Sequence, residues 1–256
     1  MKQADLQQFR APGIEFRGAP FWAWNSKLEI PELLRQLRHL KQMGFGGFFM
    51  HARVGLDTEY LGDEWFECIR ACVAEAEKLG MNAWLYDEDR WPSGAAGGKV
   101  TKDDRYKMKG LYCEPAADLR EVEFPENTLA WFAAAADPET RTVSSFRRIP
   151  EPERGELAAG EQLLRFYWKN DERSSWFNGE TYLDTLNEEA VRKFVEVTHE
   201  QYLRKTGEQF GRTIPGIFTD EPCYSHFAYD ALPWSLRVPE EFRKKYGYDL
   251  LDHLPE

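Results

Sequence analysis

The sequence predicts an α/β fold, a (β/α) TIM-like barrel of about five βα units carrying an inserted antiparallel β subdomain, and three observations carry that prediction. Short apolar runs alternate with amphipathic helical patterns from Phe21 to Gly98, as βα units feeding a parallel sheet do. Each run closes on polar residues. Between about Tyr106 and Asn170 the rhythm gives way to shorter segments split by turn residues such as Asp137-Pro138. An eight-stranded barrel takes ~250 residues without such an insertion, so the barrel reads as incomplete. The expected division is 1–105 for the first three units, 106–172 for the β-rich insertion and 173–256 for further units.

The first run, Phe21 to Asn25, precedes Ile30-Pro31-Glu32, where proline suits a helix start. Leu33, Leu34, Leu37, Leu40 and Met43 then follow at helical spacing up to Gly44. Gly46 to His51 is almost wholly apolar, as expected of a strand covered on both faces. A helix over about Asp63 to Leu79 stops at Gly80, and Met81 to Tyr86 forms the third run. Within the insertion, Thr128 to Ala136 and Thr142 to Arg148 read as strands. Tyr182-Leu183-Asp184 is the fourth barrel strand by this reading. It leads to one helix from about Asn187 to Lys205, with asparagine as N-cap. Gly216 to Thr219 is the fifth strand, and Pro239 to Asp249 reads as a short amphipathic helix followed by a turn.

Of the 256 residues, 42% are hydrophobic and 30% charged, enough for a large core. A formal net charge of -11 argues against nucleic acid or an anionic membrane as partner, since both require a basic face. A neutral or cationic ligand fits better. Aromatic residues make up 14% of the chain and several stand beside carboxylates, a pairing suited to carbohydrate, whose rings stack on aromatic faces. Cys68, Cys72, Cys113 and Cys223 show neither disulfide nor zinc spacing. No run approaches the ~18 apolar residues of a membrane span and MKQADLQQFRAPGIEF has no signal core, so a cytoplasmic protein without an organic cofactor is expected.

In a parallel barrel, catalytic groups stand where strands end at their carboxyl side. Here those positions hold Asn25, then His51 and Arg53, then Asp87, Glu88 and Asp89, then Asp184, then Asp220 and Glu221. Cleaving a glycosidic bond takes one carboxyl group to protonate the leaving oxygen and another to activate water or attack carbon. Glu221 is the expected acid, Asp220 a supporting or metal-facing group, and Glu88 the fallback partner. Side chains alternate along a strand, so Asp220 and Glu221 share a direction only if the strand has ended before them. Asp87, Glu88 and Asp89 form either a proton-donor cluster or an oxygen-rich cation site. Among the tryptophans, Trp24 and Trp91 are preferred for sugar stacking over Trp22 and Trp176. His226 is expected near the mouth, whereas His39 and His199 read as surface or packing residues. Gly94 to Gly98 lacks phosphate-loop spacing and reads as a mobile or close-packed loop.

Four blocks together are similar to the barrel of glycoside hydrolase family 106, the α-L-rhamnosidase-like enzymes. They are Pro20 to Asn25, Gly46-Gly47-Phe48 with Met50-His51, Trp84 to Glu88 with Trp91 to Gly94, and Phe218 to Pro222. The resemblance implies an exo-acting, inverting hydrolase of α-L-rhamnosides, an acid at Glu221, a Ca²⁺ ion near the sugar and a second catalytic carboxylate in a later part of the barrel. A non-catalytic carbohydrate-binding barrel is the alternative expectation.

Overall fold

A computed structural model describes residues 3–116, 125–137, 139–140, 142–150, 157–224 and 230–256. After helix α1 (Gln3–Arg10), the chain runs β1 (Phe21–Trp24), α2 (Ile30–Gln42), β2 (Gly47–Ala52), α3 (Asp63–Leu79) and β3 (Asn82–Tyr86). An excursion of strands β4 (Lys109–Ala116), β5 (Thr128–Asp137), β6 (Thr142–Ile149) and β7 (Gln162–Asn170) follows. Helices α4 (Glu188–Val197) and α5 (His199–Thr206) return the chain to β8 (Ile217–Phe218), then β9 (Leu232–Trp234) and α6 (Val238–Tyr246).

Strands β1, β2, β3 and β8 form a parallel sheet in that order. Period-two alternation gives the sheet two faces of different fate. Trp24, Phe48, Met50, Ala52, Ala83 and Leu85 point to the helical layer and pack with Leu33 and Leu37 of α2 and Trp65, Phe66, Ile69 and Val73 of α3. These helices form because their apolar residues recur at helical spacing between firm stops: Pro31 in the first turn of α2, and Gly80 at φ +60° closing α3. The opposite face carries Phe21, Phe49, Trp84 and Phe218, with the Phe21 ring 5.0 Å from both Phe49, tilted, and Phe218, edge-on. Phe21 remains 50% exposed. No helix among the described residues is long and apolar enough to cross a membrane.

The expected count of five parallel strands is corrected to four among the described residues. Tyr182 to Asp184 does not enter the parallel sheet; Leu183 makes a single antiparallel bridge to Lys107. Its backbone is bonded instead to the segment entering β4, through Met108 N–H to the Tyr182 carbonyl and Asp184 N–H to the Tyr106 carbonyl. Leu183 buries its side chain against Ala96, Val100, Ala190 and Phe194. The single helix expected over 187–205 is also divided. Asn187 caps it by accepting from the Glu189 amide at 3.1 Å, but Thr198 leaves the helical path at ψ −78°. Its hydroxyl donates to the Phe194 carbonyl at 2.7 Å, a back-bond that bends helices.

The other sheet is antiparallel, ordered β6-β5-β7-β4-β9. It draws β9 from chain well past the expected insertion. One of its faces packs Phe132, Leu164, Phe166 and Trp234 against Leu250, Leu251 and Leu254; the other holds Trp131, Ala133, Ile149 and Leu163.

Candidate functional site

The carboxyl ends of β3 and β8 lie side by side, with Tyr86 paired to Phe218, so the loops leaving them meet. Strand β8 spans only two residues, and Glu221 sits in the left-handed region at φ +44°. The alternation that would separate Asp220 from Glu221 therefore no longer applies. Ser93 clamps the junction: its amide donates to the Asp220 carbonyl and its hydroxyl accepts from the Asp220 amide, both at 2.9 Å.

Glu221 is exposed, and one of its oxygens accepts from the Trp91 indole N–H at 3.0 Å. Asp220 is half-buried and accepts from the Tyr86 hydroxyl at 2.7 Å. The Tyr86 ring lies 3.9 Å from that of His51, which is 6% exposed and whose Nε2 has no partner. Burial and the nearby Arg53 charge push His51 down to about 4, against the opposing pull of Asp220. His51 is therefore neutral at physiological pH, as its burial against the Tyr86 ring requires.

That value fixes a pH dependence. The unfolded imidazole takes up its proton near 6.5 and the folded one only near 4, so the unfolded state binds more protons in that window. Stability from this group is complete above about pH 6.5 and falls as pH drops toward 4, by on the order of 3 kcal/mol. A His51→Gln variant should lack this acid loss in urea titrations at stepped pH; parallel curves for variant and parent would contradict it.

The acidic cluster after β3 does a different job from the one expected. Asp87 is fully buried; its oxygens accept from the Ser93 and Thr219 hydroxyls, each at 2.6 Å, and His199 Nε2 lies 3.3 Å away. Burial pushes this carboxyl up, against the pull of those hydroxyls and of His199. Asp87 thus ties β3 to β8 and α5 and does not face a ligand. Glu88, 1% exposed, accepts from four backbone amides: Asp89 (2.8 Å), Gly94 (2.9 Å), Ala96 (2.7 Å) and Gly97 (2.6 Å). Burial pushes it up to about 7 while the four amides pull the other way. Glu88 has no oxygen left to act on water, and the expectation of a catalytic Glu88 is corrected on that ground. The Gly94 to Gly98 loop is close-packed around it, with Ala96, Gly97 and Gly98 at positive φ. The Gly94, Ala96 and Gly97 amides form a concave nest for an anion, and the chain supplies the occupant.

Trp24 is another correction. It points to the helical side, 2% exposed and 5.0 Å from Trp65, where no sugar reaches. Asn25 is exposed at the end of β1, and Arg53, half-buried, follows β2 with its amide bonded to the Trp24 carbonyl. Asp184 lies away from the mouth, accepting from the Ser235 hydroxyl at 2.8 Å. His226 lies outside the described residues. The expected Ca²⁺ site does not fit this arrangement, since calcium needs six to eight converging oxygens. Asp87 and Glu88 turn theirs onto protein donors, Asp89 accepts from Asn178, and no metal-holding group of acidic, histidine or cysteine side chains occurs among the described residues.

Tyr86, Ser93, Thr219 and His199 were absent from the sequence-derived site. Tyr86 was within reach, because alternation from Trp84 places it on the open face. The other three depend on contacts between segments more than a hundred residues apart.

No family model and no curated protein matches the sequence. Among solved structures, the rhamnosidase from Novosphingobium sp. PP1Y superposes with a TM-score of 0.56 at 13% identity, over 97% of this chain. The likeness is one of fold. This chain spans 42% of the length of that protein. The mixed α/β architecture, with its parallel and antiparallel sheets, is thus one that a glycoside hydrolase also uses.

Proposed function

We propose that this chain forms the acid half of a glycoside hydrolase site acting on a terminal α-L-rhamnoside. The observation that carries the proposal is Glu221, an exposed carboxylate held by Trp91 at the end of a parallel strand, next to the Asp220, Tyr86 and His51 group. Glu221 protonates the glycosidic oxygen as the bond to the anomeric carbon breaks. Asp220 holds sugar hydroxyls, backed by the Tyr86 hydroxyl, with Asn25 and Arg53 at the rim. The fold shared with a rhamnosidase supports the choice of sugar.

In this reading the four parallel strands belong to a larger (β/α) barrel whose inner wall is the face bearing Phe21, Phe49, Trp84 and Phe218. The 50% exposure of Phe21 supports it, because a large ring on a sheet face is normally covered. The carboxylate that activates water comes from the remaining barrel units. Opposite-face attack needs a gap of about 6.5–9.5 Å between the two carboxyl groups, and the product then has inverted configuration.

Calorimetric titration of the chain with L-rhamnose tests the sugar site, and release of 4-nitrophenol from its α-L-rhamnoside tests catalysis. Binding weakened at least tenfold by Asp220→Asn is the expected result. Binding without turnover in any longer form would favour a carbohydrate-binding barrel, and neither binding nor turnover would sink the proposal.

A further inference from the structure

A cleft of about 340 Å³ opens beside Glu221 between Trp91 and Pro92 on one wall and Trp176 and Phe177 on the other, with Asp171 and Glu172 at its rim. Its two indoles are fixed by different means. Trp91 donates its N–H to Glu221, and its carbonyl accepts from the Trp176 N–H at 2.5 Å. The turn bearing Trp176 is pinned to the loop after β3 by Arg90, which donates to the Ser175 (2.7 Å) and Trp176 (3.3 Å) carbonyls, and by Asn178, which donates to Asp89 (2.9 Å) and the Gly97 carbonyl (3.1 Å). Trp176 nevertheless keeps 38% of its surface exposed. An aromatic ring held rigid yet left open is what ring recognition requires, since little entropy is lost when a ligand stacks on it.

We infer that this cleft is the leaving-group subsite, taking an uncharged ring with an apolar face, and the assignment rests on the proposed role of Glu221. The geometry supplies the direction. An acid must face the glycosidic oxygen, so the sugar and the leaving group lie on either side of its carboxyl group. The Asp220, Tyr86 and His51 group lies toward β3 and β8, whereas the cleft lies on the Trp91 side. Asp171 and Glu172 disfavour anionic leaving groups, while their oxygens suit the hydroxyls of a second sugar or a phenolic ring.

Titration of intrinsic tryptophan fluorescence with methyl, 2-naphthyl and disaccharide α-L-rhamnosides tests the subsite, with free L-rhamnose measured in parallel. The chain should bind the naphthyl glycoside at least tenfold tighter than the methyl one. Trp176→Ala should erase that preference, and Trp176→Phe, which keeps a ring and loses only the bond to Trp91, should retain most of it. Disaccharide binding that follows the naphthyl pattern identifies a sugar as leaving group; naphthyl preference alone identifies an aryl group. An equal affinity for methyl and naphthyl glycosides, or a preference that survives Trp176→Ala, overturns the assignment. Failure of free L-rhamnose to bind, with Trp176-dependent binding of 2-naphthol intact, would instead refute the sugar reading and leave a ring site, so the two failures are distinct.

Discussion

Replacing Glu221 by glutamine, in a form that carries the remaining barrel units, should lower hydrolysis of an alkyl α-L-rhamnoside by about 10²–10⁴-fold, the usual contribution of a general acid. Glutamine keeps the length of the side chain and an oxygen for the Trp91 N–H, so the left-handed turn at φ +44° and the indole contact survive. What disappears is the proton. The loss should therefore depend on the leaving group: 4-nitrophenol departs readily without protonation, and its rhamnoside should suffer much less than the methyl glycoside. KM should change less than kcat, because the lost interaction belongs to the transition state. Equal losses for both leaving groups would assign Glu221 to binding, and unchanged turnover would remove it from the mechanism. Trp91→Phe leaves the acid in place but untethered, so a smaller loss than that of Glu221→Gln is expected.

The largest expected effect on stability comes from Glu88. Truncation to alanine leaves four buried amides without an acceptor, and an unmade buried hydrogen bond costs about 1–3 kcal/mol. Relaxation of the loop and entry of water recover part of that, so a loss of roughly 3–5 kcal/mol is expected. For a chain of this size the melting temperature should drop by about 10–15 °C. Glu88→Gln offers one oxygen to the amides and turns an NH₂ against the rest, so it should lose less. It also changes the pH response. The folded carboxyl releases its proton near 7 and the unfolded one near 4.5, so between these values the native state binds more protons and stability falls as pH rises. This opposes the effect of His51 over the shared part of the window, and each is read as the difference between variant and parent. A melting temperature within 2 °C of the parent for Glu88→Ala, measured by calorimetry, would show the nest to be dispensable.

Much of the fold was legible because its signals are local. The helix start at Pro31, the helix stop at Gly80 and the all-apolar run at β2 depend on neighbours a few residues away. Tyr182 to Asp184 misled because a short apolar run reads alike whether it joins a sheet or packs under a loop, and its partners Lys107 and Met108 lie far off in sequence. The same limit governs the site. Asp87, Glu88 and Asp89 announce an acidic cluster, but composition does not reveal which carboxylate is consumed by its own loop; that depends on three consecutive positive φ values from Ala96 to Gly98. Glu221 stood out for a simpler reason: it follows a strand and precedes Pro222, which keeps it out of a ladder.

The nest around Glu88 closes over only nine residues, from Glu88 to Gly97, whereas Tyr86 meets Asp220 across 134. Loop closure of the first kind is fast and inexpensive in entropy, and the second must await the whole antiparallel excursion. The two halves of the mouth thus mature at different times during synthesis. A ribosome-bound chain can shape its Trp91 wall long before Glu221 has been made, so the acid, once translated, docks onto a surface already waiting for it.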